Sequence, residues 1–201
     1  TAILLPLALI LALTLTVILG AFASEEPTAG RPVAPVLDVE CPGEPVPTEL
    51  VVTCHQIDVD GASLAVSVLH APDPTGAPVL FLHGGPGGRA VADRHRWLAP
   101  RSEVLAARDV VLVDQRGGGD STPSLDCPEM TSPASRESTS GGLAGDRACR
   151  DRLVAAGLDP TVVTVARIAA DLVSVRQALG IDRWHLHGVS FGTRIGLELL
   201  R

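Results

Sequence analysis

Ser190 is the residue around which a chemistry can be built. It stands at the centre of Gly188-Val189-Ser190-Phe191-Gly192, a G-x-S-x-G pattern. A serine hydroxyl attacks an acyl carbon when it is held clear of its neighbours and a base takes its proton. The flanking glycines leave room for the sharp turn this requires. The next backbone N–H, from Phe191, can then face the oxygen on which negative charge develops. The chemistry implied is acyl transfer. Five residues in a glycine-rich chain carry that reading only when a strand precedes them and a helix follows.

The flanking elements meet that condition. Trp184, Leu186 and Val189 suit a short buried strand, and Ile195, Leu197, Leu199 and Leu200, with no proline, suit a helix. Strand, G-x-S-x-G and helix together match the nucleophile elbow of α/β-hydrolases. Upstream, Pro78 to Leu82 is an apolar run that reads as a buried strand and leads into His83-Gly84-Gly85-Pro86-Gly87-Gly88. A loop after such a strand supplies the second oxyanion donor in that fold, so the N–H of Gly85 is predicted to act with that of Phe191. No G-x-x-x-x-G-K-[ST] occurs, which removes a phosphate loop. His83 is predicted to support the loop by hydrogen bonding. It is not the general base, because the triad of this fold runs Ser, then Asp or Glu, then His.

A second buried strand, Val110 to Val113, ends in Asp114-Gln115-Arg116-Gly117-Gly118-Gly119-Asp120-Ser121. Asp114 and Arg116 are predicted to pair and lock this loop against its neighbour. Leu50 to Val59 and Ala62 to His70 alternate apolar and polar residues about Asp60-Gly61, a hairpin signal. Val91 to Ala107 reads as helical, broken by Pro100. Thr122 to Gly145 reads as irregular, and Asp146 to Ala156 as a short helix stopped by Gly157. Thr164 caps a helix whose stripe is Val165, Ile168, Ala169, Leu172, Val175 and Leu179, with Gly180 as its stop. His185 and His187 share a strand face and read as partly buried residues, not as a metal pair. His55, His70 and His95 show no partner pattern.

The expected fold is α/β: the N-terminal half of an α/β-hydrolase, with a mostly parallel sheet and an antiparallel hairpin at its start. Residues 2–23 form a nearly continuous apolar run ending in Ala21-Phe22-Ala23, expected to be a signal peptide or a membrane anchor. Residues 24–48 carry six prolines and are expected to be a linker; residues 49–201 form the domain. This predicts a secreted or cell-envelope protein that meets a membrane only through residues 2–23, if they are retained. Cys41, Cys54, Cys127 and Cys149 behind an export segment suggest disulfides. Three connectivities exist. Cys41–Cys54 and Cys127–Cys149 are favoured because each closes a local loop; four buried thiols is the alternative, and no C-x-x-C supports zinc. A net charge of −7 with no basic run argues against nucleic acid.

HGGPGG, DQRGGGDS and GVSFG, in this order, resemble the prolyl-aminopeptidase-like branch of the α/β-hydrolases. CPE at Cys127 to Glu129, ACRDRL at Ala148 to Leu153, and DLVSVRQALGIDRWHLHGVSFGTR resemble its secreted tripeptidyl-aminopeptidase-type members. The resemblance covers residues 50–201. It implies a serine exopeptidase acting on the amino terminus of peptides, with Ser190 as nucleophile, Gly85 and Phe191 at the oxyanion positions, and no metal or organic cofactor. Members more often carry Tyr where Phe191 stands. They also carry a cap and a later Asp and His, so this stretch alone is expected to be inactive. An esterase on the same scaffold is the rival enzyme. A truncated, membrane-anchored pseudoenzyme that binds peptides is the rival outside catalysis.

Overall fold

The computed structural model describes residues 33–43, 46, 50–97, 102–131 and 139–201. The expected signal or anchor segment lies outside them. Among the described residues no helix is long and apolar enough to cross a membrane.

Six strands form one sheet: β1 (Val36–Val39), β2 (Val52–Val59), β3 (Ala62–Leu69), β4 (Val79–Leu82), β5 (Val110–Val113) and β6 (His185–Gly188). Their order is β1-β2-β3-β5-β4-β6. β1, β2, β3 and β5 pair antiparallel in succession, while β4 pairs parallel with both β5 and β6. Hence β2, β5, β4 and β6 run in one direction. Asp60 and Gly61, at φ 20° and 77°, close the β2–β3 hairpin. The α-helices are α1 (Ser102–Leu105), α2 (Thr139–Ala155), α3 (Val165–Ala178) and α4 (Phe191–Leu199).

The runs VLFL and VVLV carry no polar residue because both faces of the sheet centre are covered. Leu80, Leu82, Val111 and Val113 join Ile168, Leu172, Val175 and Ile195 of α3 and α4 in one core cluster. Val79, Phe81, Val110 and Leu112, one step out of phase, pack with Ala90 and Leu105 in a second. A period of two thus splits each strand between two cores. The same cover explains β3. Its sequence alternates, yet Leu64 to Leu69 is buried without interruption.

Three expectations need correction. The stretch read as a linker contains β1, which pairs with β2 as an outer strand, where nearby prolines do little harm. The irregular stretch ends earlier than expected, since α2 starts at Thr139 and runs through three glycines. The elbow strand is not buried: β6 is the last strand of the sheet, and His185 and His187 are exposed while Leu186 is half-buried.

Candidate active site

Ser190 sits where β6 ends and α4 begins, at φ 51° and ψ −117°. A non-glycine residue with this backbone carries about 1–3 kcal/mol of strain and persists only when its surroundings impose it. Those surroundings are visible. Val189 N–H donates to the carbonyl of Leu82 (3.1 Å), Gly192 N–H to Val189 (2.9 Å) and Thr193 N–H to Ser190 (3.0 Å). A Cβ on Gly192 would lie 2.0 Å from the Leu82 carbonyl oxygen, and one on Gly188 would lie 2.9 Å from the Gly192 backbone. The two glycines therefore let α4 start directly on the end of β4. The Ser190 side chain is left exposed. Phe191 opens α4, so its N–H belongs to the first turn, where no intrahelical acceptor exists.

The glycine loop after β4 lies against this elbow. A Cβ on Gly84 would come within 3.1 Å of Ser190 Cβ. Gly85 has φ +119°, a backbone that side chains other than glycine's rarely adopt. His83 closes the loop from inside: one ring nitrogen lies 3.0 Å from the Gly84 carbonyl, and the other faces Asp93 at 3.7 Å. The ring also fills the space a Cβ on Gly88 would need, 1.7 Å from His83 Nδ1. Among the described residues, Ser190 Oγ has no hydrogen-bond partner.

Asp114 and Arg116 do not pair with each other. Asp114 accepts from Val91 N–H (3.0 Å) and Asp120 N–H (2.9 Å), and its own N–H reaches the Ala65 carbonyl (3.0 Å). Arg116 instead makes a two-pronged pair with Asp171 of α3, both bonds 2.8 Å, with both side chains 3% exposed. This pairing holds the Arg116 guanidinium above its ordinary value. The two charges thus find different partners, Asp114 the backbone at Val91 and Asp120, and Arg116 the helix. Gln115, between them, is also buried and donates to the His83 carbonyl (3.0 Å). Sequence reasoning missed Gln115 and Asp171. An Asp on a helix reads as solvent-facing until the sheet beneath it is known.

Burial raises the Asp114 carboxyl above its usual range, partly offset by the N–H bonds from Asp120 and Val91. The native state therefore holds this proton more tightly than the unfolded chain. The stabilisation is complete below the unfolded value of about 3.9 and is lost as pH rises through the raised native value. Asp114→Asn is expected to flatten the fall of the urea midpoint as pH rises above about 4; equal slopes in both proteins would contradict the assignment.

A cleft of about 670 Å³ opens beside the elbow, lined by Pro86, Gly87, Gln115, Leu125, Val165 and Phe191 among others. Its walls come from the glycine loop, the Asp114 loop and the start of α3. Cys127 lies on its rim and is joined to Cys149 of α2; Cys41 is joined to Cys54 of β2. Cys127, Glu129 and Cys149 bring metal-type atoms together, but both sulfurs are spent in the disulfide.

Residues 77–201 match the family model described as alpha/beta hydrolase fold. The chain belongs to the α/β-hydrolase fold family. As an α/β-hydrolase it is 35% identical over 126 residues to a Streptomyces coelicolor protein named "Probable proline iminopeptidase", covering 63% of this chain and 29% of that one. A protein of the same name from Leptolyngbya boryana is 30% identical over 140 residues, 67% of this chain and 32% of that one. The solved structure of VinJ shares the fold at a TM-score of 0.50 and 21% identity, covering 73% of this α/β-hydrolase and 38% of VinJ. The chain thus spans about a third of the length of the curated relatives it matches.

Proposed function

We propose that the complete protein is an exported serine aminopeptidase that removes amino-terminal residues from peptides through a Ser190 acyl-enzyme. The observation that carries this reading is the elbow: an exposed serine in a strained backbone, pressed against a glycine loop. The names of its relatives support the peptidase class. Ser190 Oγ attacks the scissile carbonyl. Its proton passes to a histidine that the complete protein supplies, since His83 is engaged within its loop. The N–H groups of Gly85 and Phe191 receive the oxyanion. The leaving amine departs with that proton, and water then hydrolyses the ester. The two disulfides support export.

One preparation tests this. The complete protein is recovered from culture medium, its amino terminus sequenced, and aminoacyl arylamides compared with aryl esters. A start near Ser24, arylamide turnover and fluorophosphonate labelling at Ser190 are expected. Ester turnover without arylamide turnover overturns the peptidase assignment, and an amino terminus upstream of Ala21 overturns cleavage.

A further inference from the structure

A second cavity, of about 660 Å³, lies at the opposite end of the parallel strands from Ser190. It is bounded by Pro78 and Asp109, which precede β4 and β5, and by the turn from Leu179 to Arg183 that precedes β6. Thr53, His55 and His70 also line it. Sequence alone gave these two histidines no partner; strand register supplies them. Asp38 of β1 stands opposite His55 of β2, and Thr53 opposite Val68 of β3. His70, two residues past Val68, therefore falls on the same face as Thr53 and His55.

Both rings are held by carboxylates. His55 Nδ1 lies 2.8 Å from Asp38 Oδ1, and His70 Nδ1 lies 3.4 Å from Asp109 Oδ2. Asp109 is itself oriented by the Ala71 N–H (2.8 Å). A carboxylate at Nδ1 keeps a proton on that nitrogen and leaves the Nε2 lone pair for a ligand, the arrangement that orients metal-binding histidines. Both Nε2 atoms have the same hydroxyl as partner. They lie 3.1 Å (His55) and 2.9 Å (His70) from Thr53 Oγ1. A hydroxyl has one proton and can donate to only one of them. With both rings carrying their proton on Nδ1, the hydroxyl answers one Nε2 lone pair, whereas a divalent ion answers both.

The geometry points to a transition-metal site in this cavity, with His55 Nε2 and His70 Nε2 as protein ligands for an ion of the zinc class. Imidazole nitrogen selects zinc, nickel or copper over calcium and magnesium. The Thr53 hydroxyl either joins as an oxygen ligand or turns aside, and the cavity has room for the water that completes a tetrahedron. No free cysteine competes, because all four are bridged.

Calorimetric titration of zinc chloride into the oxidised protein tests the site. One equivalent is expected to bind with a micromolar Kd. His70→Ala removes a ligand and should abolish that binding; Asp38→Asn, which only frees the His55 ring, should weaken it about 10–100-fold. Asp38 is 89% exposed, so its substitution spares the fold even where a histidine variant fails circular dichroism. Absence of a saturable one-equivalent phase, or the same Kd in wild type and in Asp38→Asn, overturns the proposal.

Discussion

Ser190→Ala in the complete protein is expected to lower kcat roughly 10⁶-fold and to abolish fluorophosphonate capture. The size follows from what is removed. Without the hydroxyl no ester forms, and only oxyanion stabilisation and substrate binding remain to speed direct attack by water. The change should not cost stability. The side chain is exposed, and its Oγ has no partner among the described residues. Alanine keeps the backbone requirement at φ 51°, so the elbow itself is retained. Activity above about one per cent of wild type, with a melting temperature unchanged, would show that another group is the nucleophile.

Arg116→Met is expected to destabilise the fold by about 3–5 kcal/mol, because it strands the Asp171 carboxylate. That carboxylate is 3% exposed and both its oxygens accept from the one guanidinium. The pair need not be worth that much when intact. Desolvation of two ions offsets most of their attraction, so Arg116→Met with Asp171→Leu should recover most of the loss. Urea denaturation of the single and double variants measures both terms. A single-variant cost below about 1 kcal/mol would mean that the pair is solvated in solution and does not hold the cleft wall against α3. The same guanidinium also reaches the Asp60 carbonyl at the β2–β3 turn (3.1 Å), so its loss loosens three elements together.

The elements nearest the candidate site were the most legible in the sequence. Val79–Leu82 and Val110–Val113 announce themselves because a strand buried on both faces admits no polar residue. The Thr164 cap is a local signal, and its hydroxyl does accept from Arg167 N–H (3.2 Å). Partnership was less legible than position. Asp114 and Arg116 stand two residues apart, a spacing that would place both on one face of a strand, but β5 ends at Val113 and the chain turns, so they find different partners. His55 finds Asp38 only through the β1–β2 register, and β1 itself was hidden among prolines. The start of α2 was masked by Gly141, Gly142 and Gly145, whose low helix propensity outweighed the pattern around them.

The Cys127–Cys149 bridge makes the mouth of the cleft a leashed structure. It closes a loop 22 residues apart in sequence and so removes about 3 kcal/mol of chain entropy from the unfolded ensemble. The segment it restrains, Leu125 to Cys127, is cleft wall, while the helix it is moored to lies outside the sheet's two cores. Disulfide formation therefore shapes the wall of the cleft beside the elbow. A chain matured without an oxidant would keep its elbow and its sheet, yet present a frayed doorway.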